Sequence, residues 1–268
     1  MIRLTPAVKT LLLVNVIIFF AGSLLGMQDL LTHLGALVYV GSEYFRIHQF
    51  FTYMFLHAGL WHLVGNMFIL FFFGPILESE WGSQRFLIYF LATGIGAGII
   101  FAGVDYYETK KMEDNLVLYE QDPSLDNLGF LLSHSSEFQG ALKYRPVVAS
   151  LERLENAPED VQYQEAMAAH MRAYYQVYEN GSMVGASGAI FGIIIAMGLM
   201  FPNMQIRLLL IPVPITVKYI VIVLGSLEVY NQVQNAANDN VAHLAHLAGM
   251  LVGVILIKVW YGRDYRRR

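Results

Sequence analysis

The stretch Gly185-Ala186-Ser187-Gly188-Ala189-Ile190-Phe191-Gly192-Ile193-Ile194-Ile195-Ala196-Met197 puts one hydroxyl at the head of a run that only a membrane or a deep core can house. The ordinary role of a serine in such a helix is to hydrogen-bond the carbonyl four residues back, and nothing more. Two other apolar stretches change that weighing. One carries His243 and His246, the other His62 and Asn66. Intramembrane ionisable residues are expensive to bury and tend to mark function. A nucleophile, candidate bases and an amide donor therefore occur together in segments where polar groups are rare.

The bulk composition supports the membrane reading. Of 268 residues, 56% are hydrophobic and 14% charged, with a mean hydropathy of +0.48, which is too apolar for a soluble chain of this length. Net charge is −4, and Arg266-Arg267-Arg268 is the sole basic block, so nucleic acid is not an expected partner. The chain has no cysteine, which excludes disulfides, thiolate catalysis and cysteine-ligated metals. Any nucleophilic work falls to serine.

Crossing about 30 Å of hydrocarbon takes roughly 20 helical residues, and the sequence offers windows near 8–27, 58–77, 85–104, 184–201, 207–227 and 241–261. The first is too long for a signal-peptide core and is read as a retained span. Residues 105–182 differ in kind, with fourteen Asp or Glu against six Lys or Arg. The predicted organisation is a membrane unit over 1–104, a soluble acidic insertion over 105–182 and a second membrane unit over 183–268. Within the insertion, Val147 to Tyr178, broken at Pro158, fits one or two amphipathic helices.

Arg3, Lys9, Arg85, Arg207, Arg263 and Arg266 to Arg268 fall on one side if the spans alternate. By the positive-inside rule that side is the cytoplasm, with both termini there and the insertion outside. Tyr44 to Phe51, rich in aromatics, reads as an interfacial segment of the outer leaflet.

His62 and Asn66 are four residues apart, and His243 and His246 three apart, so each pair shares a helix face. Gly249 and Gly253, like Gly188 and Gly192, form small-xxx-small patterns that let helices approach closely. Tight packing of the fourth span on the sixth would bring Ser187 to a histidine. No metal is expected: there is no His-Glu-x-x-His motif, and no carboxylate is expected on these faces to complete a ligand set.

These residues resemble the rhomboid family of intramembrane serine proteases. Gly185-Ala186-Ser187-Gly188 is similar to the family's Gly-x-Ser-Gly motif, and Ala245-His246 through Gly249 and Gly253 to its Ala-His-x-x-Gly-x-x-x-Gly motif. His62 and Asn66 match its His-x-x-x-Asn, while Leu56-His57-Ala58-Gly59 and Glu78 with Gly82 fit neighbouring positions. The resemblance implies an all-α membrane protein, a six-transmembrane-helix bundle with the soluble insertion between spans three and four. It further implies a Ser187 nucleophile and a His246 base, His243 being out of register, in a dyad without an acid, and no Asp or Glu is expected on the inward faces.

By the same resemblance, His62, the Asn66 amide and the Ser187 backbone N–H form the oxyanion site. Phe191 either orients His246 or simply packs. No cofactor is implied. The implied partners are the lipid bilayer and single-pass transmembrane substrates, cut near the outer boundary of a bacterial inner membrane with small residues favoured at the bond. Access is expected through movement of the fifth span, Leu208 to Leu227, weakened by Pro212 and Pro214, and of a loop from Glu228 to Asn240. Where many members carry Trp-Arg in the first loop, this chain has His48-Gln49, with Arg46 slightly earlier. A catalytically inactive relative that binds membrane proteins is the alternative; a transporter would need internal repeats and a polar path through several spans.

Overall fold

The computed structural model describes residues 3–206, 214–234 and 242–262, and the side chains of Ser136 and Gln234 lie outside that description. Arg207, Leu208, Pro212, Asn240, Arg263 and Arg266 to Arg268 therefore lie outside the described residues.

The first helix, α1 (Pro6–Leu24), begins with proline in its first turn, where no N–H is required. The N–H groups it leaves open are met from another span. The Glu78 carboxylate accepts from the Ala7 and Val8 N–H at 2.9 and 2.8 Å and also from the Thr5 hydroxyl. This fastens the start of α1 to the far end of α4 (Leu60–Trp81). Between them run α2 (Gln28–Gly35), the two-residue strand β1 (Leu37–Val38), α3 (Gln49–Thr52) and a 3-10 turn over Tyr53–Phe55. Gly82, at φ +78°, turns the chain directly from α4 into α5 (Ser83–Gln121), a backbone shape suited to glycine.

At 39 residues, α5 is about 58 Å long at 1.5 Å per residue, twice what a bilayer core needs. Its first half crosses with the bundle, and its second half carries Met112, Leu116 and Tyr119 into a separate apolar core. That core is completed by α6 (Leu125–His134), a 3-10 segment over Ser136–Lys143, α7 (Arg145–Asn156) and α8 (Val161–Glu179), and it buries Leu128, Phe138, Leu154, Met167 and Met171. Helices α7 and α8 occupy the stretch read as amphipathic, with Pro158 in the break, and Asp160 caps α8 by accepting from the Gln162 N–H at 2.9 Å. Arg172 pairs with Glu120 side-on, donating from Nε to one carboxylate oxygen and from Nη2 to the other.

The return from the insertion is a strand, β2 (Ser182–Met183), paired antiparallel with β1 as Leu37↔Met183 and Val38↔Ser182. The chain then enters α9 (Ser187–Met200), of 14 residues. A small hairpin of β3 (Gln205–Ile206) and β4 (Ile215–Thr216) leads to α10 (Val217–Gln234), and α11 (His243–Tyr261) closes the bundle. By length and composition, α1, α4, α5 and α11 are each able to cross a membrane. The short apolar α9 and the adjacent α10 fill the other two positions of an all-α six-helix membrane bundle.

The fifth helix differs from its predicted window of 207–227. It starts ten residues later and runs to Gln234, so Glu228 is helical rather than the start of a loop. The reason is local. Pro214 stands just ahead of a strand paired to β3, and the helix can begin only after that pairing ends, with the Val217 N–H held by the Met204 carbonyl at 2.9 Å. Pro214 therefore precedes α10 and does not weaken it.

Candidate active site

Helices α4, α9 and α11 each start at the same end of the bundle, and α10 ends there. Their polar residues lie within about two turns of that end. Ser187 is the first residue of α9, half-buried, with Gly185 at φ +129° just ahead of it. The Gly185 N–H donates to the Tyr53 carbonyl at 2.9 Å, and the Tyr53 hydroxyl in turn donates to the Gly94 carbonyl at 2.7 Å. The approach to the serine is thus pinned to both the first loop and α5. A helix's first N–H groups have no partner within the helix and carry the positive end of its dipole, so anionic charge near Ser187 meets donors already in position.

Among the described residues Ser187 Oγ makes no hydrogen bond, so the back-bonding role of a transmembrane serine is not realised. A side chain at Gly185 would sit 2.6 Å from the His62 ring and 3.7 Å from Ser187 Oγ, so imidazole and hydroxyl flank one point that only glycine leaves open. One turn beyond His62, Asn66 is 6% exposed and its Nδ2 has no hydrogen-bond partner. A buried amide donor left unpaired costs about 1–3 kcal/mol.

His57, which the motif reading noted without assigning a role, lies on the near side of His62, with ring centroids 5.1 Å apart. It is 1% exposed, and neither ring nitrogen has a well-formed hydrogen bond. Burial first, and the His62 ring second, lower its pKa to about 4, with a contact to the Phe55 backbone offsetting this in part. His57 is therefore neutral at physiological pH.

Glycines bring the serine helix against the histidine helix. A Cβ on Gly249 would lie 2.0 Å from the Gly188 carbonyl oxygen, one on Gly188 would lie 2.7 Å from the Ala97 Cβ, and one on Gly192 would lie 2.7 Å from Thr93. The predicted contact of the fourth and sixth helices is thus backbone against backbone, with α5 as the third wall. Phe191, one turn after Ser187, stacks on the His246 ring at 4.3 Å between centroids and 12° between planes. The ring lies on this histidine rather than on lipid-facing or core residues alone.

The acid-free expectation needs correction. Glu228 of α10 accepts from His246 Nδ1 at 2.8 Å and from His243 Nδ1 at 2.6 Å, both on its Oε2, and its side chain is 12% exposed. A carboxylate does face the histidines, because α10 extends one turn and more beyond its apolar window. The same fact removes the argument that no carboxylate is present to complete a metal-ligand set: ligand atoms of Glu228, His243 and His246 lie within 4.8 Å of one another. His48 and Gln49, where the family more often has Trp-Arg, make structural contacts. His48 Nε2 meets the Leu34 carbonyl at 2.9 Å, and buried Gln49 bonds the Tyr44 carbonyl.

A family model described as "Rhomboid domain" matches residues 44–117 and 163–263, leaving out the middle of the insertion. Among curated proteins, "RHOMBOID-like protein 6, mitochondrial" of Arabidopsis thaliana is 42% identical over 76 residues, 27% of this chain and 24% of that protein. "Rhomboid-like protein 11, chloroplastic" of the same plant is 40% identical over 53 residues, 20% of this chain and 19% of that protein. The matched stretches thus span a quarter or less of these relatives' length.

Proposed function

Because the chain belongs to the rhomboid family and is an integral membrane protein, we propose that it is an intramembrane serine endopeptidase acting on single-pass transmembrane substrates. Ser187 is the nucleophile and His246 the base that takes its proton and returns it to the leaving amine. The observation that carries this reading is the Phe191–His246 stack together with the Gly188–Gly249 backbone contact. Together they hold a buried histidine against the helix whose first residue is Ser187.

The oxyanion formed on attack falls to the Asn66 amide, His62 and the Ser187 N–H at the helix start. The unpaired buried Nδ2 of Asn66 supports its part, since a donor held without a partner gains most when charge develops beside it. Fourteen residues give α9 a length of about 21 Å, less than a hydrocarbon core of about 30 Å. We assign the shortfall to its first turn, so that the serine lies below the membrane boundary and water reaches it through the end of the bundle where α4, α9 and α11 begin.

With both termini cytoplasmic, this end faces outward, and the acidic insertion stands over it as a separate unit that governs which substrates enter. The positive charges at Arg3, Lys9 and Arg85 favour that orientation, and the stacking of the Arg85 guanidinium on Trp260 and Tyr261 joins the start of α5 to the end of α11 on the basic side. An inactive, substrate-binding relative would leave the serine unreactive. Labelling with a fluorophosphonate probe separates the two: wild-type protein in detergent should label and Ser187→Ala should not. Equal labelling of both, or of neither, would remove the protease reading.

A further inference from the structure

The Glu228 carboxylate is the one acidic group that meets the histidines at this end of the bundle among the described residues. We infer that Glu228 is a positioning residue for the His246 base, an acid added behind the Ser187–His246 pair through its contact with His246 Nδ1. The inference rests on the protease reading and adds to it.

An ionised carboxylate only accepts hydrogen bonds, so His246 Nδ1, at 2.8 Å from Oε2, must carry the ring proton. That choice of tautomer leaves Nε2 with its lone pair as the ring atom able to take a proton from a hydroxyl. Phe191 fixes the plane of the ring by stacking on it, and Glu228 fixes its rotation within that plane and its tautomer. The two contacts restrain different motions, so neither makes the other redundant. When His246 becomes cationic during attack, the carboxylate also stands next to the new charge in a poorly solvated setting.

His243 donates to the same oxygen at 2.6 Å from one turn earlier on α11. Two N–H donors converging on one carboxylate oxygen hold it in place between the helices, and they tie α10 to α11. His243 is thus the anchor of the acid, and its register outside the Ala-His motif is explained: it turns toward α10. The residue arrives from a helix rather than a loop, which gives the carboxylate a fixed backbone.

The test uses the full-length protein reconstituted in liposomes with a single-pass substrate. In Glu228→Gln and Glu228→Ala, kcat should fall by about 10²-fold with KM within about twofold. Fluorophosphonate labelling of Ser187 should slow in parallel, because removing an orienting acid leaves the wrong tautomer available. Either variant folded and cleaving within about twofold of wild type would overturn the inference, as would a change confined to KM. If both variants fail to fold, nitrogen NMR of wild-type protein labelled at histidine decides. A neutral His246 carrying its proton on Nδ1 supports the role of Glu228, and a proton on Nε2 overturns it. Wild-type activity lost to EDTA and restored by zinc would make the three side chains a metal site and would also overturn it. Ser187→Ala run alongside keeps the two claims apart: cleavage surviving there removes the protease reading, whereas cleavage lost there but kept in Glu228→Gln removes only the positioning role.

Discussion

The contact between Gly249 and the Gly188 carbonyl is the tightest seam at the site, and Gly249→Ala should damage stability and activity together. The added methyl carbon would start 2.0 Å from the carbonyl oxygen, 2.8 Å from its carbon and 3.1 Å from the Gly188 Cα. Ordinary contact begins near 3.4 Å, so α9 and α11 must separate by more than about 1 Å at that level. No flexible side chain is present to give way, since all three atoms are backbone.

Overpacking of a close-fitted interface costs about 1–3 kcal/mol, and the upper end applies here. Gly188 is the residue after Ser187, so the displacement falls on the nucleophile. A misplacement of about 1 Å costs on the order of 10²-fold in rate. Thermal unfolding in detergent and the rate of fluorophosphonate labelling measure the two effects. Gly65→Ala is the control, because nothing lies within 4 Å of its added methyl; it should be neutral or stabilising by up to about 1 kcal/mol. If Gly249→Ala unfolds at the wild-type temperature and labels at the wild-type rate, the backbone seam is not what holds serine and histidine together.

Other consequences follow from single features. Asn66→Ala should fold and lose about 10² to 10³-fold in turnover, as removal of an oxyanion donor does; wild-type turnover in a folded variant would deny Asn66 that role. His57, held down to about 4, is neutral in the folded state while an unfolded histidine near 6.5 binds a proton. Its contribution is complete above about pH 6.5 and is lost as pH falls toward 4, on the order of 3 kcal/mol in all. His57→Phe should flatten the acid side of the stability profile, and an unchanged slope in that variant would contradict the assignment. For topology, Ser150 is only 8% exposed in the insertion, so the exposed Glu152 is the better cysteine site. Glu152→Cys should react with a membrane-impermeant maleimide in intact cells and Gln84→Cys should not; the reverse pattern would invert the orientation.

Hydropathy made the bundle legible, and side-chain spacing made much of the candidate site's arrangement legible, because Ser187 and Phe191 share a face of one helix while His246 and Gly249 share a face of another. Glu228 escaped for a physical reason. Apolar windows mark where lipid or core surrounds a helix, not where its hydrogen bonds end, and α10 continues for seven residues past Leu227. A charge at the edge of the window therefore read as loop. Likewise α5 runs unbroken through Asp105, Glu108 and Lys110, where composition changes but the backbone does not. Met112, Leu116 and Tyr119, at spacings of four and three, carry the helical period that signals this continuation. The β1–β2 pairing that guides the chain into Ser187 is two residues per strand, too short to leave any pattern.

Peptide-bond hydrolysis in the membrane by Ser187 and His246 is the step on which the proposed function turns. The most direct measurement is cleavage of a reconstituted single-pass substrate by wild type, Ser187→Ala and His246→Ala in the same liposomes, with product mass giving the bond cut. One cut near the outer membrane boundary is expected from wild type and none from either folded variant. Cleavage at the wild-type rate by Ser187→Ala, or no cleavage of any transmembrane substrate by a wild-type protein that labels with fluorophosphonate, would contradict it.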